Sequence, residues 1–258
     1  MTDAATAPAA PRAASTIVLM RDGPTDLEFF MVVRQHEIDF ASGALVFPGG
    51  RMEAGDTELA RQAIPFADGI DETARALRIA AIREAFEECG VLLARPKGDG
   101  RIVPAERAGA LDRSAPFAEL MSREGLTPAT EALVPFARWI TPAFLPKRFD
   151  THFFLALAPP EHALAHDGRE AVDSIWIAPR AALAEQEQGG RFKLLFPTVR
   201  NLWKLARHAD AASALAAARA APVVTVVPER TEVDGGPGLR IPLEADYGGE
   251  EFSVKGLV

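Results

Sequence analysis

The sequence predicts an α/β protein in which a mixed β-sheet lies between layers of helices. Short apolar runs that read as strands alternate with segments of helical periodicity along most of the 258 residues. One main helix is predicted to begin at Asp71 or Thr73, and another to cover 197–208. The predicted strands are bounded by turn-forming residues and cover 15–21, 27–35, 133–140, 152–157 and 174–177.

The composition is that of an ordinary globular protein, with 48% hydrophobic and 25% charged residues. A formal net charge of -8 argues against a nucleic-acid or anionic-membrane partner, although a bound metal could still attract a small anionic substrate. No apolar run reaches the roughly 18 residues of a membrane span, and we expect no secretory signal. The single cysteine, Cys89, allows no intramolecular disulfide, and we expect a cytoplasmic protein.

Residues 83–91, REAFEECGV, carry the clearest chemical signal. At about 100° per residue of helix, Glu84, Glu87 and Glu88 fall within one narrow arc. Like charges at this spacing repel one another, and hard divalent ions such as Mg2+ prefer oxygen ligands of this kind. The alternative is a solvated acidic face. The opposite side of the helix is apolar and carries Ile79, Ile82, Phe86 and Cys89.

A Gly-Gly loop at 47–56, FPGGRMEAGD, precedes this helix, and its glycines let the backbone approach a ligand closely. Loop and helix together resemble the signature of the Nudix hydrolases: Gly, five residues, Glu, seven residues, then Arg-Glu-aliphatic-any-Glu-Glu-any-Gly-aliphatic. Gly50 matches the opening glycine, and Asp56 stands at the first Glu. The remaining matches are Arg83, Glu84, Glu87, Glu88, Gly90 and Val91.

Residues 57–82 occupy 26 positions where the signature has seven, an insertion of 19. We place this insertion at about 57–75 and expect an outward excursion. A long insertion here resembles the Nudix branch that includes peroxisomal coenzyme A diphosphatases. Arg34 and Gly43 match part of an accessory pattern of these enzymes, whereas Asp39 stands where that pattern has an Arg.

The resemblance implies a Nudix fold, an α/β/α sandwich, and hydrolysis of a diphosphate linkage in a nucleoside diphosphate joined to another group. Mg2+ or Mn2+ would be the cofactor, and it would neutralise phosphate oxygens and activate the attacking water. Our first hypothesis for the substrate is coenzyme A or acyl-coenzyme A. The alternatives are a broader hydrolase of ADP-ribose, NADH or dinucleoside polyphosphates, and a nucleotide-binding Nudix domain without catalysis.

Roles for individual residues follow from the resemblance. The metal ligands would be Gly50, Glu84, Glu87 and Glu88. Arg83 would orient the carboxylates, with Asp56 or Glu53 as its partner, and either Glu84 or Glu170 would be the general base. Substrate-binding candidates are Arg34, Gly49, Arg51 and Arg148.

We divide the chain into a disordered tail at 1–14, a Nudix domain at 15–220 and a C-terminal extension at 221–258. A helical insertion is predicted at about 100–130 of the Nudix domain. The extension is expected to pack on the same domain, where it covers the sheet or forms the contact of a homodimer.

Overall fold

The computed structural model describes residues 9–34, 43–62, 70–160, 162 and 171–255. The described helices are α1 (Ala54–Gln62), α2 (Glu72–Cys89), α3 (Ala105–Gly109), α4 (Phe117–Arg123), α5 (Pro179–Glu187), α6 (Phe196–Leu205) and α7 (Ala211–Ala220). The first nine described strands are β1 (Arg12–Asp22), β2 (Leu27–Arg34), β3 (Leu45–Val46), β4 (Gly49–Arg51), β5 (Ala94–Pro96), β6 (Leu126–Pro128), β7 (Val134–Ile140), β8 (Phe149–Leu157) and β9 (Ala171–Ile177). Those of the C-terminal extension are β10 (Thr225–Val226), β11 (Glu229–Val233), β12 (Gly236–Arg240) and β13 (Glu251–Ser253).

Within the described ranges, the central sheet has eight strands, in the order β10-β7-β8-β1-β2-β3, with β4 paired to β1 and β9 paired to β2. Strand β1 runs parallel to β8, and β10 runs parallel to β7. The other pairs of this sheet are antiparallel. The predicted mixed sheet is therefore confirmed.

Alternate residues of β1 show that the sheet is buried on both faces. Ile17 and Leu19 pack in an apolar cluster with α2, whereas Val18 and Met20 pack in a second cluster with α6 and α7. All four side chains are fully buried. Because successive side chains of a strand point to opposite faces, helices must cover both sides. The expected α/β/α sandwich is confirmed.

Strand β1 begins at Arg12, inside the tail that the sequence predicted for residues 1–14. Residues 12–14 pair with Phe149–Thr151 of β8 through the backbone. Such pairing needs no apolar side chains, so an Ala- and Pro-rich segment conceals it from sequence reasoning. The tail boundary was therefore placed too late. Residues 1–8 lie outside the described part of the chain.

The insertion within the Nudix signature, also called the Nudix box, starts as a packed helix, and not as the outward excursion that the sequence predicted. Helix α1 lies against α2, and its Ala60 is fully buried in the same apolar cluster. Residues 63–69 lie outside the described ranges. Helix α2 then begins after Asp71, whose side chain accepts a hydrogen bond from the Ala74 N–H at 2.7 Å. This is one of the two helix starts that were predicted.

Helices α3 and α4 lie within the predicted helical insertion, together with strand β6, which the sequence analysis missed. β6 pairs with β5 in a separate two-stranded sheet. None of the helices in the described ranges combines the length and the apolar character needed to cross a membrane.

The C-terminal extension covers the face of the sheet opposite α2. Tyr247 is 2% exposed, and its ring centroid lies 5.2 Å from that of Trp139 on β7. Ile241 and Ala245 join the same apolar cluster. Strands β11, β12 and β13 form a small antiparallel sheet of their own. The extension therefore contributes to the core of the sandwich.

Candidate active site

The candidate active site lies where helix α2 meets strand β4. The β4 backbone pairs with β1, so that Gly50 lies beside Ser15 and Gly49 beside Thr16. Ser15 in turn donates a hydrogen bond from Oγ to the carbonyl oxygen of Leu77 on α2, at 2.7 Å. Strand β1 thus holds both the Gly-Gly loop and the helix, which sets the position of one against the other.

The carboxylates of α2 are not a solvated acidic face. Glu84 is 8% exposed and Glu88 is 9% exposed, whereas about a third of the Glu87 side chain, 34%, is accessible. The Gly49 N–H donates to Glu88 Oε2 at 3.3 Å. Burial of charged groups is costly unless they are paired, so the solvated-face alternative is excluded for Glu84 and Glu88.

Gly50 is required by the closeness of the loop to Glu84. A Cβ atom on Gly50 would lie 2.7 Å from Glu84 Cδ, which is shorter than any ordinary contact. Gly49 is equally constrained, because its Cβ would lie 2.5 Å from the Ser15 carbonyl oxygen. Any side chain at either position would move the loop or the glutamate.

Arg83 is the centre of the ionic network, and it is only 4% exposed. Its Nε and Nη2 donate to the two carboxylate oxygens of Asp56 at 3.0 and 3.2 Å. Its Nη1 donates to Glu84 Oε1 at 2.9 Å and to Glu87 Oε2 at 3.0 Å. A further bond joins Nη2 to the Arg51 carbonyl oxygen at 2.7 Å. All three guanidinium nitrogens are therefore engaged, and two box glutamates are held by one cation.

Of the two partners predicted for Arg83, the structure shows Asp56 in ionic contact. Asp56 is 1% exposed, and its Oδ2 also accepts a hydrogen bond from the Glu53 N–H at 2.8 Å. Glu53 takes part through its backbone, while the residue itself is exposed. The first acidic position of the signature therefore supports the arginine from the start of α1.

Burial and pairing act in opposite directions on these groups. Burial lowers the pKa of Arg83, but its hydrogen bonds to Asp56 and the charges of Glu84, Asp56 and Glu87 outweigh this effect, so the pKa is raised overall. Burial raises the pKa of Asp56 and of Glu87, while Arg83 opposes both shifts. Arg83 is thus a fixed positive charge that supports the ionised carboxylates.

The donor set fits a hard divalent cation in its chemistry, because Glu84, Glu87 and Glu88 offer only carboxylate oxygens. A carboxylate has about four acceptor sites, which allows one carboxylate to accept a hydrogen bond and bind a metal ion together. In the part of the chain that the structure describes, no group of three or more Asp, Glu, His or Cys side chains is arranged so that it could hold a metal ion. Glu84 and Glu87 instead converge on Arg83.

The remaining predicted site residues lie in different settings. Arg34, at the end of β2, is half-buried, and its backbone bonds to Gly43 and Ala44. The guanidinium of Arg148 donates to the carbonyl oxygens of Thr141 and Ala9 at 3.0 and 2.8 Å, so it is engaged by backbone. The side chain of Arg51 is exposed. The substrate roles of these arginines stay predictions.

Glu170, one of the two candidate general bases, lies outside the described residues.

Sequence reasoning missed Arg113, whose guanidinium bonds to the carbonyl oxygens of Phe86 and Glu87 at the end of α2. No local pattern could have identified it, because 26 residues separate it from Glu87.

A family model described as the NUDT19 Nudix domain matches residues 59–197, more than half of the chain. The chain belongs to this Nudix hydrolase family. The match begins after the Gly-Gly loop and covers helix α2 with all three glutamates. The long insertion within the box is consistent with this branch, as the sequence indicated.

Named relatives agree with the family. The acyl-coenzyme A diphosphatase NUDT19 of Gallus gallus is 28% identical over 62% of this chain and 56% of its own length. The Homo sapiens protein of the same name is 37% identical over 42% of this chain and 33% of its own length. The Nudix chain therefore spans only about half, or less, of the length of these curated relatives.

A solved structure agrees in fold over most of the chain. The crystal structure of a NUDIX hydrolase from Alicyclobacillus acidocaldarius superposes with a TM-score of 0.68 at 29% identity. It covers 80% of this chain and 96% of that protein. The Nudix fold assignment thus rests on the sequence match and on the tertiary structure together.

Proposed function

We propose that this Nudix protein is a metal-dependent diphosphatase that cleaves coenzyme A or acyl-coenzyme A at its diphosphate linkage. The observation that carries the proposal is the burial of Glu84 and Glu88 against a Gly-Gly loop that leaves no room for a side chain. Two relatives named as acyl-coenzyme A diphosphatases support the substrate class. The products would be a phosphopantetheine and adenosine 3',5'-bisphosphate.

Glu84, Glu87 and Glu88 would hold the metal. Bound Mg2+ or Mn2+ would stabilise the charge on the phosphate oxygens and make water a better nucleophile. The chain itself orients the ligands: Arg83 fixes Glu84 and Glu87 through one nitrogen, and the Gly49 N–H fixes Glu88.

A carboxylate must also accept a proton from the attacking water, and Glu84 and Glu170 are the two candidates. Glu84 is held against the loop by Arg83, so it has a defined position in the site. Glu170 would have to reach the site from the segment before β9. Comparison of Glu84→Gln with Glu170→Gln at saturating metal would identify the base, because loss of the base lowers kcat even when metal is bound.

A broader substrate range is the second candidate, because Asp39 stands where the accessory pattern of coenzyme A diphosphatases has an Arg. Such an enzyme would accept ADP-ribose, NADH or dinucleoside polyphosphates as well.

The proposal also includes a cytoplasmic location and a homodimeric assembly for this protein. The single cysteine, Cys89, is fully buried and is compatible with a reducing compartment.

The test is product analysis with coenzyme A, acetyl-coenzyme A, ADP-ribose, NADH and diadenosine polyphosphates, each with Mg2+ and Mn2+. Wild type is compared with Glu87→Gln and with Glu119→Gln, an exposed glutamate on α4 that serves as the matched control. We expect coenzyme A cleavage that Glu87→Gln lowers by at least about 10-fold and that Glu119→Gln leaves unchanged.

Each other outcome has a definite meaning. Equal turnover of coenzyme A and ADP-ribose would replace the narrow substrate by the broad one. Nucleotide binding without cleavage at any metal concentration would instead establish a binding domain that has lost catalysis.

A further inference from the structure

The C-terminal end of helix α2 is closed partly by its own chain. A helix leaves its last carbonyl groups without intrahelical donors. Gly90 adopts a left-handed conformation with φ of 73° and donates from its N–H to the Phe86 carbonyl oxygen at 2.9 Å. Val91 N–H donates to the Ala85 carbonyl oxygen at 3.2 Å. This glycine cap serves Ala85 and Phe86.

The carbonyl oxygen of Glu87 accepts hydrogen bonds from a side chain in another part of the chain. Arg113 donates to this oxygen from Nε at 3.0 Å and from Nη2 at 2.5 Å, and its Nε also reaches the Phe86 carbonyl oxygen at 3.0 Å. The cation therefore sits at the negative end of the helix dipole. Arg113 thus binds the backbone of Glu87, a proposed metal ligand, and the next residue, Glu88, is another proposed ligand.

Arg113 lies in the loop between α3 and α4, and hydrogen bonds within the loop stabilise its conformation. Asp112 Oδ1 accepts hydrogen bonds from the Ser114 N–H at 2.9 Å and from Ser114 Oγ at 2.7 Å. Phe117, at the start of α4, packs its ring 6.3 Å from that of Phe86 on α2. The helical insertion thus holds the last turn of α2 by an apolar contact and a guanidinium.

We propose that Arg113 is a positioning residue that fixes the last turn of α2 and so holds Glu87 and Glu88 where they bind a divalent metal ion. This inference rests on the proposed function. Arg83 orients the side chains of Glu84 and Glu87 from within the helix, while Arg113 fixes the backbone that carries Glu87 and Glu88. Outer groups of this kind typically account for a 10–100-fold change in metal affinity.

Arg107 offers a matched control. It belongs to the same insertion, it is likewise half-buried, and its Nη2 donates to a backbone carbonyl at a helix end, that of Glu124, at 2.8 Å. That bond lies within the insertion and does not reach α2. Loss of Arg107 should therefore weaken the insertion without moving the box glutamates.

The experiment measures the Mn2+ dissociation constant of the full chain by electron paramagnetic resonance, with thermal unfolding and steady-state kinetics alongside. For Arg113→Gln we expect Mn2+ affinity to fall about 10-fold, with kcat restored by excess Mn2+ and KM for the nucleotide unchanged. Arg113→Lys keeps the charge but not the two-point bond, so it should restore part of the affinity. Arg107→Gln should bind Mn2+ as wild type does.

Equal Mn2+ affinity in Arg113→Gln, Arg107→Gln and wild type would overturn the positioning role, even if both variants unfold at lower temperature. A kcat deficit that excess Mn2+ does not reduce would overturn it as well. If Arg113→Gln does not fold, Arg113→Lys decides by the same affinity measurement. A wild type that neither binds Mn2+ nor cleaves any nucleotide would overturn the proposed function and this inference together, whereas failure of the inference alone leaves wild-type activity intact.

Discussion

Two buried polar networks lie on opposite faces of the central sheet, one charged and one neutral. The charged network surrounds Arg83 on the α2 side, where Asp56 is 1% exposed. The neutral network lies on the other face and joins Trp139, Asn201 and Tyr247, with Asn201 fully buried. Both networks are largely buried, but only one of them is charged. Comparing them therefore separates the effect of charge on stability from the effect of burial.

The neutral network attaches the C-terminal extension to the sandwich. Tyr247 donates from its hydroxyl to Asn201 Oδ1 at 2.8 Å. Trp139 Nε1 donates to the Tyr247 hydroxyl at 3.2 Å and to Asn201 Oδ1 at 3.3 Å. Neutral hydrogen bonds of this kind contribute modestly and carry no ionic desolvation cost. The charged network incurs that cost and offsets it through Arg83. The buried charges therefore lie at the proposed site, whereas neutral groups attach the C-terminal extension to the sandwich.

The largest effect should follow removal of the central cation. Arg83→Met leaves Asp56 buried without its ionic partner, and breaking a buried pair from one side costs roughly 3–5 kcal/mol. The free energy of unfolding from urea denaturation measures this loss. Arg123→Met, which removes an exposed pair with Glu124, is the control and should change stability by less than about 0.5 kcal/mol. Similar losses in both variants would contradict the special cost of the buried charge.

The next effect concerns activity more than stability. Gly50→Ala would place a Cβ against the Glu84 carboxylate and displace it. A misplacement of about 1 Å in a catalytic group can lower the rate about 100-fold. We expect a loss of that order in kcat for the proposed diphosphatase reaction, measured at saturating metal. Gly100→Ala, which has no atom within 4 Å of the new Cβ, should keep wild-type kcat.

The neutral network should respond in stability alone. Tyr247→Phe removes the hydroxyl that bonds to Asn201 and Trp139, at an expected cost of about 1–2 kcal/mol. Its distance from α2, on the far face of the sheet, predicts an unchanged kcat and an unchanged Mn2+ affinity. Urea denaturation and steady-state kinetics of the same preparation would measure both. A fall in activity without a fall in stability would show that the two faces are coupled.

The smallest effect tests a charged pair that water partly reaches. Arg138 donates to both oxygens of Asp150 at 2.8 and 2.6 Å. The hydrogen bond from Arg138 lowers the pKa of Asp150, against the opposing effect of burial. Because the folded-state pKa lies below the unfolded value of about 4, the contribution is present above that pH and is lost as pH falls through the folded pKa.

Solvent screening limits this contribution to about 1 kcal/mol or less, since 37% of the Arg138 side chain is exposed. Asp150→Asn should therefore be slightly less stable than wild type at pH 7, and the difference should be smaller at pH 2. Urea denaturation at the two pH values measures the difference. A difference in the free energy of unfolding that is just as large at the lower pH would show that it comes from packing and not from charge.

The arrangement of the three glutamates on α2 could be predicted because helical periodicity is local. Glu84, Glu87 and Glu88 share a face in any regular helix of this sequence. The need for glycine at 49 and 50 was predicted as close approach of the loop backbone, and the structure identifies Glu84 as the group that comes close to Gly50. Substrate contacts of Arg148 could not be predicted to the same degree, because the backbone carbonyl oxygens of Thr141 and Ala9 compete for its guanidinium.

The sequence by itself determined the sandwich, the acidic helix face and the glycine loop, since each depends on residue types within a few positions of one another. Only the tertiary structure decided that Arg83 pairs with Asp56, that Arg113 caps α2 and that β1 begins at Arg12. Those contacts join segments more than 25 residues apart or run through backbone groups that every residue carries. The side-chain pattern offered two partners for Arg83, Asp56 and Glu53, and indicated neither the Arg113 contact nor the start of β1, because packing of the whole domain forms these contacts.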